Sequence, residues 1–164
     1  MGTDFFLGGE GRLRPADAAV ALIVVDGTGY LMQLRDQKSG IFYPGHWGLF
    51  GGALDVGEAP ETTLHRELNE ELGLVTTVTT YFSELSLDFS FGGFGRVTRS
   101  YYEVPITSSD IAGLVLGEGS DMRSFSASEI LSMTRVVPYD AVAIWMHATR
   151  YSVWSGEVEH GGTS

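Results

Sequence analysis

The chain has 164 residues and a mass of 17.8 kDa, room for one domain or two very small ones. Hydrophobic residues make up 43% of it and mean hydropathy is +0.06, a composition that buries a core and excludes wholesale disorder. Ten basic against 21 acidic residues leave a net charge of −11, so the surface as a whole repels nucleic-acid backbones and anionic membranes, and the absence of cysteine excludes disulfides, thiolate catalysis and cysteine-held zinc.

The start, Met1 to Phe6, has no basic residues and no apolar run of signal-peptide length, and Phe6 stands where a myristoylation signal wants Ser or Thr. The expectation is a soluble cytoplasmic protein. Residues 1–16 read as a glycine-rich lead-in to a single domain filling residues 1–164, and residues 155–164 as a polar tail. Ala19 to Val25 is apolar and partly β-branched, the pattern of a central strand. Asp26-Gly27-Thr28-Gly29 is turn chemistry, and Tyr30 to Arg35 reads as the hairpin partner. A loop carrying Gly40, Pro44 and Gly45 follows, then a short aromatic strand from Trp47 to Gly52. Pro60 suits the first turn of a helix, Leu64, Leu68 and Leu72 recur every four residues as one apolar stripe, and Gly73 stands where a helix stops. Strands are predicted over Val75 to Ser90 and Arg96 to Val104, split by a turn at Gly92-Gly93-Phe94-Gly95, with another at Met122 to Phe125. Ser126-Ala127-Ser128-Glu129 has the form of a capping box and opens a short helix to Leu131. Tyr139 to Tyr151 reads as a final helix with apolar spacing at Ala143, Ile144 and His147. These elements make an α/β protein with a mixed sheet.

The helix after Pro60 puts Glu67, Glu70 and Glu71 at i, i+3 and i+4, so three carboxylates crowd one face and repel one another. Three glutamates alone fit a solvated acidic helix face better than a hard divalent cation bound through oxygen. Their setting favours the cation. Gly52, Glu58, Arg66, Glu67, Glu70, Glu71 and Gly73, with aliphatic Leu68 and Leu74, match every fixed position of the Nudix box: Gly, any five, Glu, any seven, Arg-Glu, aliphatic, any, Glu-Glu, any, Gly, aliphatic. A chance match is on the order of 10⁻⁷ for a chain this long. The sequence therefore resembles a Nudix hydrolase.

That resemblance implies a Nudix-type α/β/α sandwich with the box helix beside a mixed sheet. It implies that Glu67, Glu70 and Glu71, with the Gly52 carbonyl, hold Mg²⁺ (Mn²⁺ is possible), that one glutamate is the general base, and that Arg66 and Glu58 orient the catalytic glutamate and anchor the loop. The implied reaction is attack of water on a phosphorus of a nucleoside diphosphate linked to another moiety, with a nucleotide sugar or a (deoxy)nucleoside triphosphate favoured. Glu118, in a glycine-rich loop, is a further candidate for the metal cluster or the base, with Asp121 as the fallback. Arg35 is a candidate to bind a phosphate oxygen, with an ordinary surface ion pair as the competing reading; Phe42, Tyr43, His46 and Trp47 are candidates for an aromatic wall, with core packing the competing reading of Trp47, and Arg99 is a weaker candidate to line the cleft. His65, His147 and His160 read as structural or exposed. Phe50 stands where many members have Pro, and Ala59 where many have a Ser helix cap, a change that costs about 1 kcal/mol of helix stability. The alternatives are a catalytically silent Nudix-like sensor of a nucleotide or metabolite, and an acidic interaction domain for a basic protein. Neither nucleic acid nor membrane is an expected partner; a homodimer is compatible with general statistics.

Overall fold

The computed structural model describes residues 13–152. Its sheet has seven strands: β1 (Ala18–Val25), β2 (Gly29–Leu34), β3 (Trp47–Gly48), β4 (Phe50–Ala53), β5 (Thr80–Asp88), β6 (Arg96–Ile106) and β7 (Asp121–Ser126). The helices are α1 (Pro60–Leu72), α2 (Ser108–Ile111), α3 (Ala127–Ser132) and α4 (Pro138–Thr149).

All eight residues of β1 are apolar and buried, the condition of a strand covered on both faces. Its end turns into β2 through Asp26 and Gly27, both at positive φ, the backbone twist a tight hairpin demands. Its first half pairs antiparallel with β4, and its whole length pairs parallel with β6, so the sheet is mixed. The strand order is β3-β2-β1-β6-β5, with β7 along β2.

Alternation along β1 then dictates two cores. Ala18, Val20, Leu22 and Val24 pack with Ile130, Ala143 and Ile144 of α3 and α4; Ala19, Ala21, Ile23 and Val25 pack with Leu64, Leu68 and Leu72 of α1. The result is the expected α/β/α sandwich. Phe50 is fully buried against the α1 stripe, which accounts for an aromatic at that position. Gly73 ends α1 in the left-handed region at φ 62°, its N–H bonding back to Asn69. Ala59 gives α1 no side-chain cap. The Glu58 carboxylate instead accepts from the Thr63 hydroxyl at 2.7 Å and the Asp55 N–H at 3.2 Å, stitching the loop to the first turn.

Several boundaries differ from expectation. β5 begins at Thr80, not Val75, because residues 75–79 follow the helix as an irregular linker. The aromatic strand at Trp47 is split at Leu49 between two partners, β3 on β2 and β4 on β1. The β5–β6 connection contains a 3₁₀ turn, Ser90–Gly92, and α2 follows β6, capped by a Thr107–Asp110 box. The capping box predicted at Ser126 is present in α3. His147 is buried: the Tyr30 hydroxyl donates to Nδ1 at 2.8 Å and Nε2 donates to Glu103 at 2.6 Å, and burial holds the imidazole below its ordinary pKa. His65 is half-buried on α1; His160 and the tail at 155–164 lie outside the described residues, as do residues 1–12 of the lead-in. Among the described residues no helix is long and apolar enough to cross a membrane.

Candidate active site

The box helix and β4 meet at Gly52. A Cβ on Gly52 would stand 2.4 Å from the Glu67 carboxylate, so only glycine lets that carboxylate approach the strand. Arg66 organises the rest. Its guanidinium donates to Glu67 at 2.6 Å, to Glu58 at 2.9 and 3.1 Å, to Glu70 at 3.4 Å and to the Ala53 carbonyl at 3.3 Å. This pairing holds Glu58 down to a pKa of about 2, hydrogen bonds from Arg66 contributing most.

The inner carboxylates are shifted the other way. Glu71 is buried, accepts from the Gly51 N–H at 2.8 Å and from Gln33 at 3.2 Å, and is still pushed up to about 7, chiefly by desolvation and further by Glu67 and Glu118. Glu67 is raised by burial despite Arg66, with Glu70 and Glu118 adding repulsion. Glu70 is the outermost, its side chain 58% exposed.

Glu118 reaches this group because its loop caps α1. The last carbonyls of a helix lack intrahelical partners. Here Val115 N–H takes the Leu72 carbonyl at 3.0 Å and Gly117 N–H takes the Glu71 carbonyl at 2.7 Å. A Cβ on Gly117 would meet the Glu70 carbonyl at 2.6 Å, so the close approach needs glycine. The loop thereby delivers Glu118 into the field of Glu67 and Glu71. Asp121, the fallback, is turned to Arg123 at 2.7 Å.

As placed, no three histidine, aspartate or glutamate side chains among the described residues are gathered around one point as metal ligands. Glu67 is engaged by Arg66, and Glu71 by Gly51 and Gln33. The donor chemistry nonetheless fits a hard cation: oxygen ligands only, two of the carboxylates desolvated, and mutual repulsion that a cation would relieve.

Across the Gly51–Gly52 edge lies a cleft of about 180 Å³. Arg35, Phe42 and Arg99 line it, as do Gly51 and Gly52. Tyr43 and His46 do not; Tyr43 packs edge-on against Tyr139, ring centroids 5.7 Å apart, and His46 packs against Tyr43. Trp47 is also off the cleft, edge-on to Phe125 at 4.8 Å and packed against the α3/α4 core. Three of the polar side chains that line it were not among the sequence candidates: Arg14, Tyr139 and Asp140. Arg14 lies in the stretch read as a lead-in, and Asp140 could have been flagged as the one acidic residue in an otherwise apolar helix start.

A family profile described as NUDIX domain matches residues 15–154. A relative named nucleoside triphosphatase NudI, from Escherichia coli O1:K1, is 40% identical over 70 residues, 41% of this chain and 48% of that protein. The chain thus spans about half the length of the curated relatives it matches. Among solved structures, the MutT protein of Methanosarcina mazei Go1 superposes with a TM-score of 0.68 at 19% identity, covering 85% of this chain and 96% of that one. The E. coli ORF135 protein does so with a TM-score of 0.66 at 24% identity, covering 90% and 99%. The NUDIX domain of Shewanella oneidensis NrtR, solved with ADP ribose, gives 0.63 at 19% identity over 84% and 88%. At these identities the structural likeness is one of fold; the profile match, over most of the chain, carries the assignment. With every fixed position of the box present and the sandwich around it, the chain belongs to the Nudix family.

Proposed function

We propose that the chain acts as one domain and is a metal-dependent pyrophosphohydrolase, cleaving the phosphoanhydride of a nucleoside triphosphate or a nucleotide sugar by attack of water on phosphorus. The observation that carries this reading is the adjacency of Glu67, Glu71 and Glu118 to a cleft with arginines in its wall, separated only by the Gly51–Gly52 edge. The diphosphate would lie over that edge, with the remainder of the substrate in the cleft.

Glu67, Glu70, Glu71 and the Gly52 carbonyl would hold Mg²⁺, with Mn²⁺ as the alternative. Such an ion, when bound, neutralises phosphoryl charge and makes bound water more acidic. The chain's own residues supply the rest. Arg66 fixes Glu67 and ties Glu58 and Ala53 to the helix, so the loop and the carboxylates share one geometry. Glu70 and Glu118 are exposed, which leaves their carboxylate oxygens able to take the proton of the attacking water. Arg35 and Arg99 offer guanidinium donors to the substrate from the opposite wall. The relative named nucleoside triphosphatase favours a triphosphate over a nucleotide sugar.

Glu70→Gln, assayed with Mg²⁺ across nucleoside triphosphates and nucleotide sugars, tests the reading. Loss of an acid–base or metal-holding carboxylate should lower kcat by about 10²-fold or more. Unchanged turnover in the variant would remove the glutamate face from the mechanism.

A further inference from the structure

The cleft carries a chemistry that the glutamate face does not use. In a chain of net charge −11, its wall holds three arginines, Arg14, Arg35 and Arg99, and one carboxylate, Asp140. Asp140 is 2% exposed and both its oxygens are committed. Oδ2 accepts from the Leu49 N–H at 3.0 Å; Oδ1 accepts from the Tyr101 hydroxyl at 3.2 Å and lies 3.6 Å from Arg99. Its burial and these bonds turn it inward, toward the wall and away from a ligand. The arginines are only partly used. Arg35 donates through Nε to the Phe42 carbonyl at 2.8 Å. Arg99 donates through Nε to the Tyr101 hydroxyl at 3.4 Å and turns Nη2 to Asp140, leaving Nη1 with no partner among the described residues. Its Cζ stands 4.3 Å from the Tyr139 ring centroid, so ring and carboxylate together hold the guanidinium in one place.

A fixed donor whose neighbouring acceptors, Tyr101 and Asp140, are already engaged discriminates by base edge. Guanine O6 and the O4 of uracil and thymine accept; the amino groups of adenine and cytosine at the same positions donate, and would meet a donor in a partly desolvated wall. The cavity, about 180 Å³, is also small against the roughly 300–1,000 Å³ of ordinary ligand clefts, which suits one base and not a second nucleoside. On the reading of the chain as a nucleotide hydrolase, we propose that Arg99, held by Asp140 and Tyr139, is a specificity-determining residue that selects keto-edged nucleobases over amino-edged ones.

The test has two arms on the full chain. The first compares kcat/KM for dGTP, dTTP, dATP and dCTP with Mg²⁺. The second measures calorimetric binding of the four corresponding monophosphates without metal, so that selection is read apart from turnover. Each keto nucleotide should exceed its amino counterpart (dGTP over dATP, dTTP over dCTP) by about tenfold, within the range of one arginine–base pair. The double variant Arg99→Met with Asp140→Asn removes both partners, so no buried carboxylate is stranded, and should bring those ratios to about one. If that variant does not fold, the wild-type ratios decide. Equal kcat/KM across the four triphosphates overturns the selection and leaves the hydrolase reading standing. No hydrolysis, with keto monophosphates still bound preferentially, removes the hydrolase reading and leaves the selection. No preference in either arm, or ratios unchanged in the folded double variant, overturns the proposal.

Discussion

On the α1 side of the Gly51–Gly52 edge, Glu58, Glu67 and Glu70 converge on one guanidinium, Arg66, with Glu71 and Glu118 acting on Glu67 from beside it; in the cleft on the α4 side, Arg14, Arg35 and Arg99 line a wall that holds one carboxylate, Asp140. In each region the minority charge organises the majority. Arg66 fixes acidic residues that would otherwise repel, and Asp140 fixes Arg99 while taking nothing from a ligand. The difference teaches how the substrate would be oriented. An acidic face would admit polyphosphate only together with a cation, whereas a basic cleft attracts acceptor groups unaided, so on the proposed reading the two ends of one substrate would be held by opposite charges. The overall −11 hides this polarity.

The sharpest way to break the acidic half is Gly52→Ala. Gly52 does not need a left-handed backbone, so alanine is conformationally acceptable there, but its Cβ would overlap the Glu67 carboxylate. Displacing that carboxylate by an ångström should lower kcat/KM by about 10²-fold while the melting temperature moves little. A fully active variant would show that Glu67 need not sit against β4. The basic half breaks differently. Asp140→Ala leaves the Arg99 guanidinium without its carboxylate and the Leu49 N–H without an acceptor in a buried wall, and should cost about 3–5 kcal/mol in denaturant unfolding. A loss well below that would mean water replaces the carboxylate, and the cleft would be less organised than described.

The smallest expected effect lies in neither region. His147 is held neutral, its pKa lowered from 6.5 chiefly by burial, so the unfolded chain binds its proton more readily than the folded one. A depressed imidazole contributes stability that is present above pH 6.5 and is lost as pH falls through the folded value. His147 should therefore contribute a decline in thermal stability below about pH 6.5, opposed by Glu71, whose carboxyl, pushed up to about 7, favours the folded chain as pH falls; His147→Gln should remove the declining part and leave the profile tilted further toward acid. An unchanged slope in the variant would assign the acid sensitivity elsewhere.

Much of the acidic half was legible in the sequence, and little of the basic half. Pro60, the leucine stripe and Gly73 delimit α1 by local rules, and the glutamates follow from helical spacing. Glu118 is a loop residue whose direction is set by contacts distant in sequence, the loop capping the end of α1 through Gly117. Cleft membership depends on long-range pairing instead. Arg99 faces the α4 side because β6 pairs in parallel with β1, Ala18 opposite Arg99. Trp47 packs on Phe125 because β7 lies along β2, and no local pattern encodes that neighbour. Asp140 stands in the first turn of α4, and only the convergence of Leu49, Tyr101 and Arg99 on it reveals what it does.

The central claim is that the acidic face and the cleft form one site joined by a cation. It is tested most directly by the affinity of a non-hydrolysable deoxynucleoside triphosphate analogue measured with and without Mg²⁺ on the wild-type chain. The account predicts binding at least about tenfold tighter with the metal, because four glutamates otherwise oppose the phosphates. Equal affinity in the two conditions would contradict it.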